Sequence, residues 1–187
     1  MTFCGKINPI ITFFFCLTLM ACNSTTNTDS NTATTFFDLK GFFQNEVKRL
    51  SSVQRIEKTV TINDQVEKQI IENPNWEQAF SIFTQSDINK SAWLDKYRAD
   101  TTYHGDKTIA NISYNALEED LKTRELNISF EDQKAQKVYV LNVVNNPILS
   151  TRQELTYDYD IGYHVKSWQK QAMAEERNLK IDVVFQK

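Results

Sequence analysis

From Arg98 onward the chain is a succession of alternating stretches separated by short polar breaks, and this pattern constrains its fold more than any other feature. Ile109, Asn111 and Ser113 fall on one side of an extended chain, with Ile112 and Tyr114 on the other. Leu126, Ile128 and Phe130 alternate cleanly with polar neighbours. Successive side chains of a strand point to opposite faces, so a period of two marks a strand with one buried face. Residues 138–144 are nearly continuous in apolar side chains, as expected of a central strand. Stretches 149–159, 161–168 and 179–185 complete the set, with breaks at Asn145-Asn146-Pro147, Asp160-Ile161-Gly162 and Glu175-Glu176-Arg177-Asn178. Consecutive strands with short connections build an antiparallel meander.

The region before the meander reads differently. Phe36, Leu39, Phe43, Val47 and Leu50 recur at steps of three and four, which is one face of a helix, and Phe37 and Phe42 widen it. Lys40, Glu46, Lys48 and Arg49 are assigned to the opposite side. Ile56, Val60 and Ile62 alternate with polar residues, as Val66, Lys68 and Ile70 do more loosely, and Asn63-Asp64 between them predicts a β-hairpin. Pro74 breaks the chain, and Asn75 is placed to cap a helix carrying Trp76, Ala79, Phe80 and Phe83. Asp87 is expected to cap a shorter helix through Ala92, Trp93 and Tyr97. The expected class is α+β: N-terminal helices packed on an antiparallel β-meander sheet, with a half-barrel as its curved form.

The first residues follow the plan of a secretory signal. Lys6 and the amino terminus supply positive charge, and residues 10–21 form an apolar run shorter than the roughly 20 residues a spanning helix needs. The run ends in Leu19-Met20-Ala21-Cys22. This segment resembles the lipobox of bacterial lipoproteins, whose cysteine is lipidated and becomes the first mature residue. The resemblance implies a signal peptide over residues 1–21, acyl chains on Cys22, and attachment to a membrane through that anchor. Two or three chains hold a protein durably where one would not, at about 0.8 kcal/mol per buried methylene. Cys4 and Cys16 would leave with the signal, so the mature domain would have neither disulfide nor thiol nucleophile. Asn23, where an inner-membrane retention signal would place aspartate, points to the outer membrane facing the periplasm.

Residues 22–35 hold the lipidated cysteine and a tract of Ser, Thr, Asn, Asp and Ala with no large apolar side chain. Such a tract cannot bury enough surface to offset its ordering entropy. It is read as a flexible tether reaching about 20 Å. Residues 36–187 remain, enough for one domain with an unaided core. Without Lys6 the chain carries 20 basic and 24 acidic residues, a net charge of −4, which argues against nucleic acid as partner.

The search for chemistry returns mostly exclusions. Gly41, Gly105 and Gly162 are the only glycines after residue 21, too few for a dinucleotide fingerprint or phosphate-binding loop. There is no G-x-S-x-G elbow and no H-E-x-x-H, and histidine appears only as His104 and His164. His104 reads as a turn residue beside Gly105-Asp106, and Glu118-Glu119-Asp120 as a solvated loop. The densest polar-aromatic cluster runs from Tyr157 to His164. With a turn at residues 160–162, Asp158, Asp160 and His164 could converge as oxygen and nitrogen metal ligands, but they meet no ligand-spacing rule, and no metal or cofactor is expected. The candidate ligand-binding residues are Tyr157, Tyr159, Tyr163 and Trp168, on an exposed tyrosine-bearing strand pair with Tyr159 and Tyr163 near one another. The bland alternative is tyrosines that pair across strands and stabilise the sheet.

With no catalytic residue to name, the chain is expected to be a non-enzymatic envelope lipoprotein, a binding or assembly module for an envelope protein or ligand. The alternative is a periplasmic carrier of a lipid or other apolar molecule. A curved antiparallel sheet covered by helices is similar in outline to the periplasmic carriers that shuttle lipoproteins. Phe42, Phe43, Trp76, Phe80, Phe83 and Trp93 would then line a cavity rather than fill a core.

Overall fold

Two capped helices and nine strands follow one another in a computed structural model that describes residues 35–185. The apolar run, Cys22 and all of the tether but Thr35 lie outside the described residues. Among the described residues, no helix is long and apolar enough to cross a membrane.

Helix α1 (Leu39–Leu50) starts where the Asp38 carboxylate accepts the Gly41 N–H at 2.8 Å. Lys48 and Arg49 in its last turn suit the negative end of the helix dipole. Strands β1 (Arg55–Ile62) and β2 (Gln65–Glu72) form the expected hairpin. Asn63 and Asp64 both take positive φ, 44° and 71°, as a two-residue turn matched to strand twist requires. Helix α2 (Trp76–Thr84) follows Pro74, and the Asn75 side chain accepts the Gln78 N–H at 2.9 Å, as the sequence predicts.

The third expected helix does not form. Ser91–Trp93 makes a single 3-10 turn, and Tyr97 already begins a strand. The Asp87 carboxylate accepts from the backbone and side-chain amides of Asn89 rather than capping a helix. The Asn89 side chain in turn bonds Phe36 N–H and Phe37 C=O at 3.0 and 2.9 Å. Tertiary demand on Asn89 thus overrides the local capping pattern.

Strands β3 (Tyr97–Tyr103), β4 (Ile109–Ala116), β5 (Thr123–Glu131), β6 (Lys134–Asn145), β7 (Leu149–Asp158), β8 (Gly162–Gln171) and β9 (Arg177–Phe185) pair in sequence order, all antiparallel. The full order is β2-β1-β9-β8-β7-β6-β5-β4-β3, an open sheet with edges at β2 and β3. The sequence pattern did not place the early hairpin: β1 lies against the last strand, from Ile56–Phe185 to Ile62–Leu179. Asn63 clamps this junction by giving its N–H to the Asn178 carbonyl and taking the Asn178 N–H on its side chain. The described residues are thus mainly β with two α-helices, within the α+β class.

One cluster of buried side chains draws on both helices and on one face of the sheet. Leu39, Phe43 and Leu50 from α1 and Phe80 and Phe83 from α2 join Leu126, Ile128, Val138, Val140, Leu155 and Tyr157. The Phe43 ring lies 4.7 Å from Phe83 and 5.2 Å from Tyr157, and Trp76 meets Phe185 at 5.5 Å. Edge-to-face pairs dominate, the arrangement that aromatic quadrupoles favour. The six sequence-nominated aromatics divide between full burial (Phe43, Phe80, Phe83, Trp76) and partial burial (Phe42, Trp93).

Candidate functional site: an open groove beside a sealed polar network

The helices leave one flank of the sheet uncovered. Beyond α2, the inward side chains of β1, β8 and β9 line a groove of about 420 Å³. Ala79, Ile82 and Gln78 of α2 form one wall; Tyr163, Val165, Leu179 and Ile181 form the floor. Strand pairing explains this company, because Val165 faces Ile181, Ser167 faces Leu179, and Lys58 faces Val183 across the ladders. Lys58 is the one charged residue in the lining. The lining also has one serine, Ser167, with neither histidine nor carboxylate among its neighbours there. This wall chemistry suits holding an apolar body and orienting a polar end.

Next to the groove the interface is closed by a charged network that the sequence reading did not anticipate. Glu46 is only 5% exposed, although it was assigned to the solvent side of its helix. The Tyr157 hydroxyl donates to the Glu46 carboxylate, and Arg49 pairs with the same oxygen at 2.6 Å. Arg49 also donates to the Tyr157 oxygen at 2.8 Å and the Tyr159 carbonyl at 3.0 Å. Its guanidinium stacks 3.8 Å above the Tyr159 ring. Burial first, then the Glu46 carboxylate, drives the Tyr157 phenol far above its ordinary range. Burial opposes the charge of Arg49, but Glu46 and Tyr157 together outweigh it and raise the group. The signal was present: Leu39, Phe43, Glu46 and Leu50 follow the helical spacing of one buried stripe.

A second buried cluster is neutral. The Asn142 amide donates to the Ser86 hydroxyl at 2.8 Å, and the Thr123 hydroxyl lies 3.1 Å from the Asn142 side-chain oxygen and from the Ser86 carbonyl. Tyr97 adds a bond from its hydroxyl to the Thr123 carbonyl at 2.8 Å. Every buried side-chain polar atom among the described residues has a partner, as stable interiors require.

The four aromatic residues nominated from sequence do not form one surface. Tyr157 is fully buried and pairs across the ladder with Tyr163, not Tyr159 with Tyr163. The tight connection is residues 159–161, closed by Asp158 facing Gly162. Gly162 takes φ +147°, and a Cβ there would run into the Val183 carbonyl, so the position needs glycine. Tyr163 is 6% exposed, touches Phe80 and Phe83, and lines the groove; burial pushes its phenol up to about 12. Trp168 is five positions further along the same strand, and the two-residue period therefore puts it on the opposite face, with Lys166. The expectation of an exposed tyrosine strand is corrected: Tyr157 and Tyr163 are buried, and Tyr159 is half-buried against the core.

On that opposite face, His164 Nδ1 lies 2.6 Å from the Asp182 carboxylate, and Asp158 pairs with Lys137 at 3.3 Å. Asp158, Asp160 and His164 therefore do not converge, and among the described residues no cluster of three His, Cys, Asp or Glu side chains is arranged to hold a metal ion. His104 sits in the β3–β4 turn with Nε2 3.2 Å from the Phe130 carbonyl, and Glu118 in the acidic loop pairs with Lys96 at 2.6 Å. No protein-family model, curated protein or solved structure matches the chain.

Proposed function

We propose that this chain is a cell-envelope lipoprotein, anchored by acyl chains on Cys22 and tethered by residues 22–35, that acts as a non-enzymatic binding module. The anchor is proposed to sit in the outer membrane facing the periplasm, with the signal over residues 1–21 removed. The observation that carries the binding reading is the apolar groove between α2 and the β1–β9–β8 part of the sheet. In this reading the helices pack on a curved, half-barrel-like sheet and leave one side open for a partner. Tyr163 is the member of the sequence-nominated set that serves the groove. Tyr157 and Tyr159 support it from behind through Arg49.

A second reading, a carrier of a lipid or other apolar molecule, is favoured by the makeup of the floor, where Val165, Leu179 and Ile181 present aliphatic surface. Native mass spectrometry of the purified protein, with solvent extraction of the same sample, tests the two together. A copurifying apolar molecule near one per chain supports the carrier. An empty groove, with an envelope protein captured by crosslinkers placed at Ile82, supports the assembly module. An empty groove without a captured partner removes both.

A further inference from the structure

The occupant of the groove is narrowed by its charge. Lys58 projects from the middle of β1 toward the groove as its single charged residue, and among the described residues it makes no ion pair. The lysines that do form ion pairs, Lys68, Lys96 and Lys137, have carboxylates within 4 Å. Lys58 is half-buried, so its stem can lie along the apolar lining while its ammonium stays available to an arriving anion. The other polar groups lining the groove are neutral: Asn75 and Gln78 from the start of α2, and Gln153 and Ser167 at the far end. The inward rows from Lys58 and Val183 to Leu179 and Ser167 run about 13 Å along the strands, at roughly 3.3 Å per residue. That distance is aliphatic for most of its length.

We propose that the groove binds a long-chain carboxylate anion, with the head group on Lys58 and the single acyl chain laid along Val165, Ile181 and Leu179 against Ile82. This inference rests on the groove being a binding site. One cation matches one negative charge. A volume of about 420 Å³ lies at the small end of ligand sites and suits one chain rather than several.

The test uses the full chain in isolated membranes and two photoactivatable, alkyne-tagged probes of about ten carbons, the length that an extended chain needs to span the groove's roughly 13 Å, one a carboxylic acid and one the matching alcohol. After irradiation the chain is purified and labelled peptides are mapped. The acid is expected to label peptides carrying Val165 and Ile181. Lys58→Met is expected to reduce acid labelling about tenfold while leaving alcohol labelling unchanged, the size of effect one charge-assisted contact supports. Lys58→Arg retains acid labelling. Equal labelling by both probes, insensitive to Lys58→Met, overturns the anion assignment and leaves the groove as a site. Loss of acid labelling in Lys58→Arg as large as in Lys58→Met also overturns it, because then charge is not what matters. No labelling of groove peptides by either probe removes the inference and the binding reading together.

Discussion

Two stretches of the same helix–sheet boundary behave in opposite ways. Under α1 the boundary is sealed: Phe43 and Tyr157 are fully buried, and Glu46 and Arg49 lock Tyr157 to the helix. Beside α2 it is open: Val165 and Tyr163 are nearly buried, while Ile82, Leu179 and Ile181 remain half-exposed along the groove. Both stretches are lined by apolar side chains. They differ in whether aromatic rings and a charged bridge span the gap. Rings placed edge to face fill space in several directions at once, whereas on the open floor Tyr163 is the one aromatic member, against Phe80 and Phe83, and Val165, Leu179 and Ile181 beside it are aliphatic. The sealed stretch holds the fold, and the open stretch leaves apolar surface that folding does not use.

The sharpest way to break this contrast is to hollow out the sealed side. Phe43→Ala is expected to destabilise by about 3–5 kcal/mol, the range for deleting a buried aromatic ring. Leu179→Ala on the open floor is expected to cost less than half of that, because its surface is already partly in water. Denaturant midpoints of the two variants measure the difference, and equal losses would erase the distinction. Arg49→Ala comes next. It leaves Glu46 buried with Tyr157 as its remaining donor, and a loss of about 1–3 kcal/mol is expected.

Alkaline pH probes both stretches through their phenols. Tyr163 at the groove and Tyr97 in the core are both raised by burial to about 12 from 10.0. A raised acid favours the folded state while it stays protonated. Its contribution is therefore complete below pH 10 and is lost as pH climbs from about 10 to about 12. Thermal midpoints should fall across that window, and Tyr163→Phe should lessen the fall. A fall of the same size in the variant would show that Tyr163 is not sheltered. The smallest effect is expected at the edge of the open side: Asn75→Ala removes the cap of α2 and should cost about 1 kcal/mol.

Much of this contrast was legible in the residues, and the part that was not has physical causes. The strands, the Asn63-Asp64 hairpin and the Asn75 cap follow from local rules that need only neighbours in sequence. Pairing of β1 with β9 is a long-range choice that no local signal encodes. The charge of Glu46 points to solvent, but its position on the Leu39–Phe43–Leu50 stripe outranks its polarity once Arg49 and Tyr157 are present to satisfy it. For the tyrosine cluster the alternation gives the faces but not which face is buried: the turn falls at residues 159–161, so the partner of Tyr163 is Tyr157 rather than Tyr159, two residues away on the same, core-facing side. The groove itself was invisible in sequence, because it is made where the helices stop covering the sheet.

The pairing of β1 with β9 also sets an order of events. Lys58 lies far upstream in sequence of Leu179 and Ile181, which form the floor opposite it. The β1–β2 hairpin can close on its own turn at once, yet its inner face stays wet until the last strand arrives. Contacts so far apart in sequence slow folding, because the loop between them must be closed first. Shortening the chain from its C-terminal side should therefore remove the groove before it harms the hairpin or the caps.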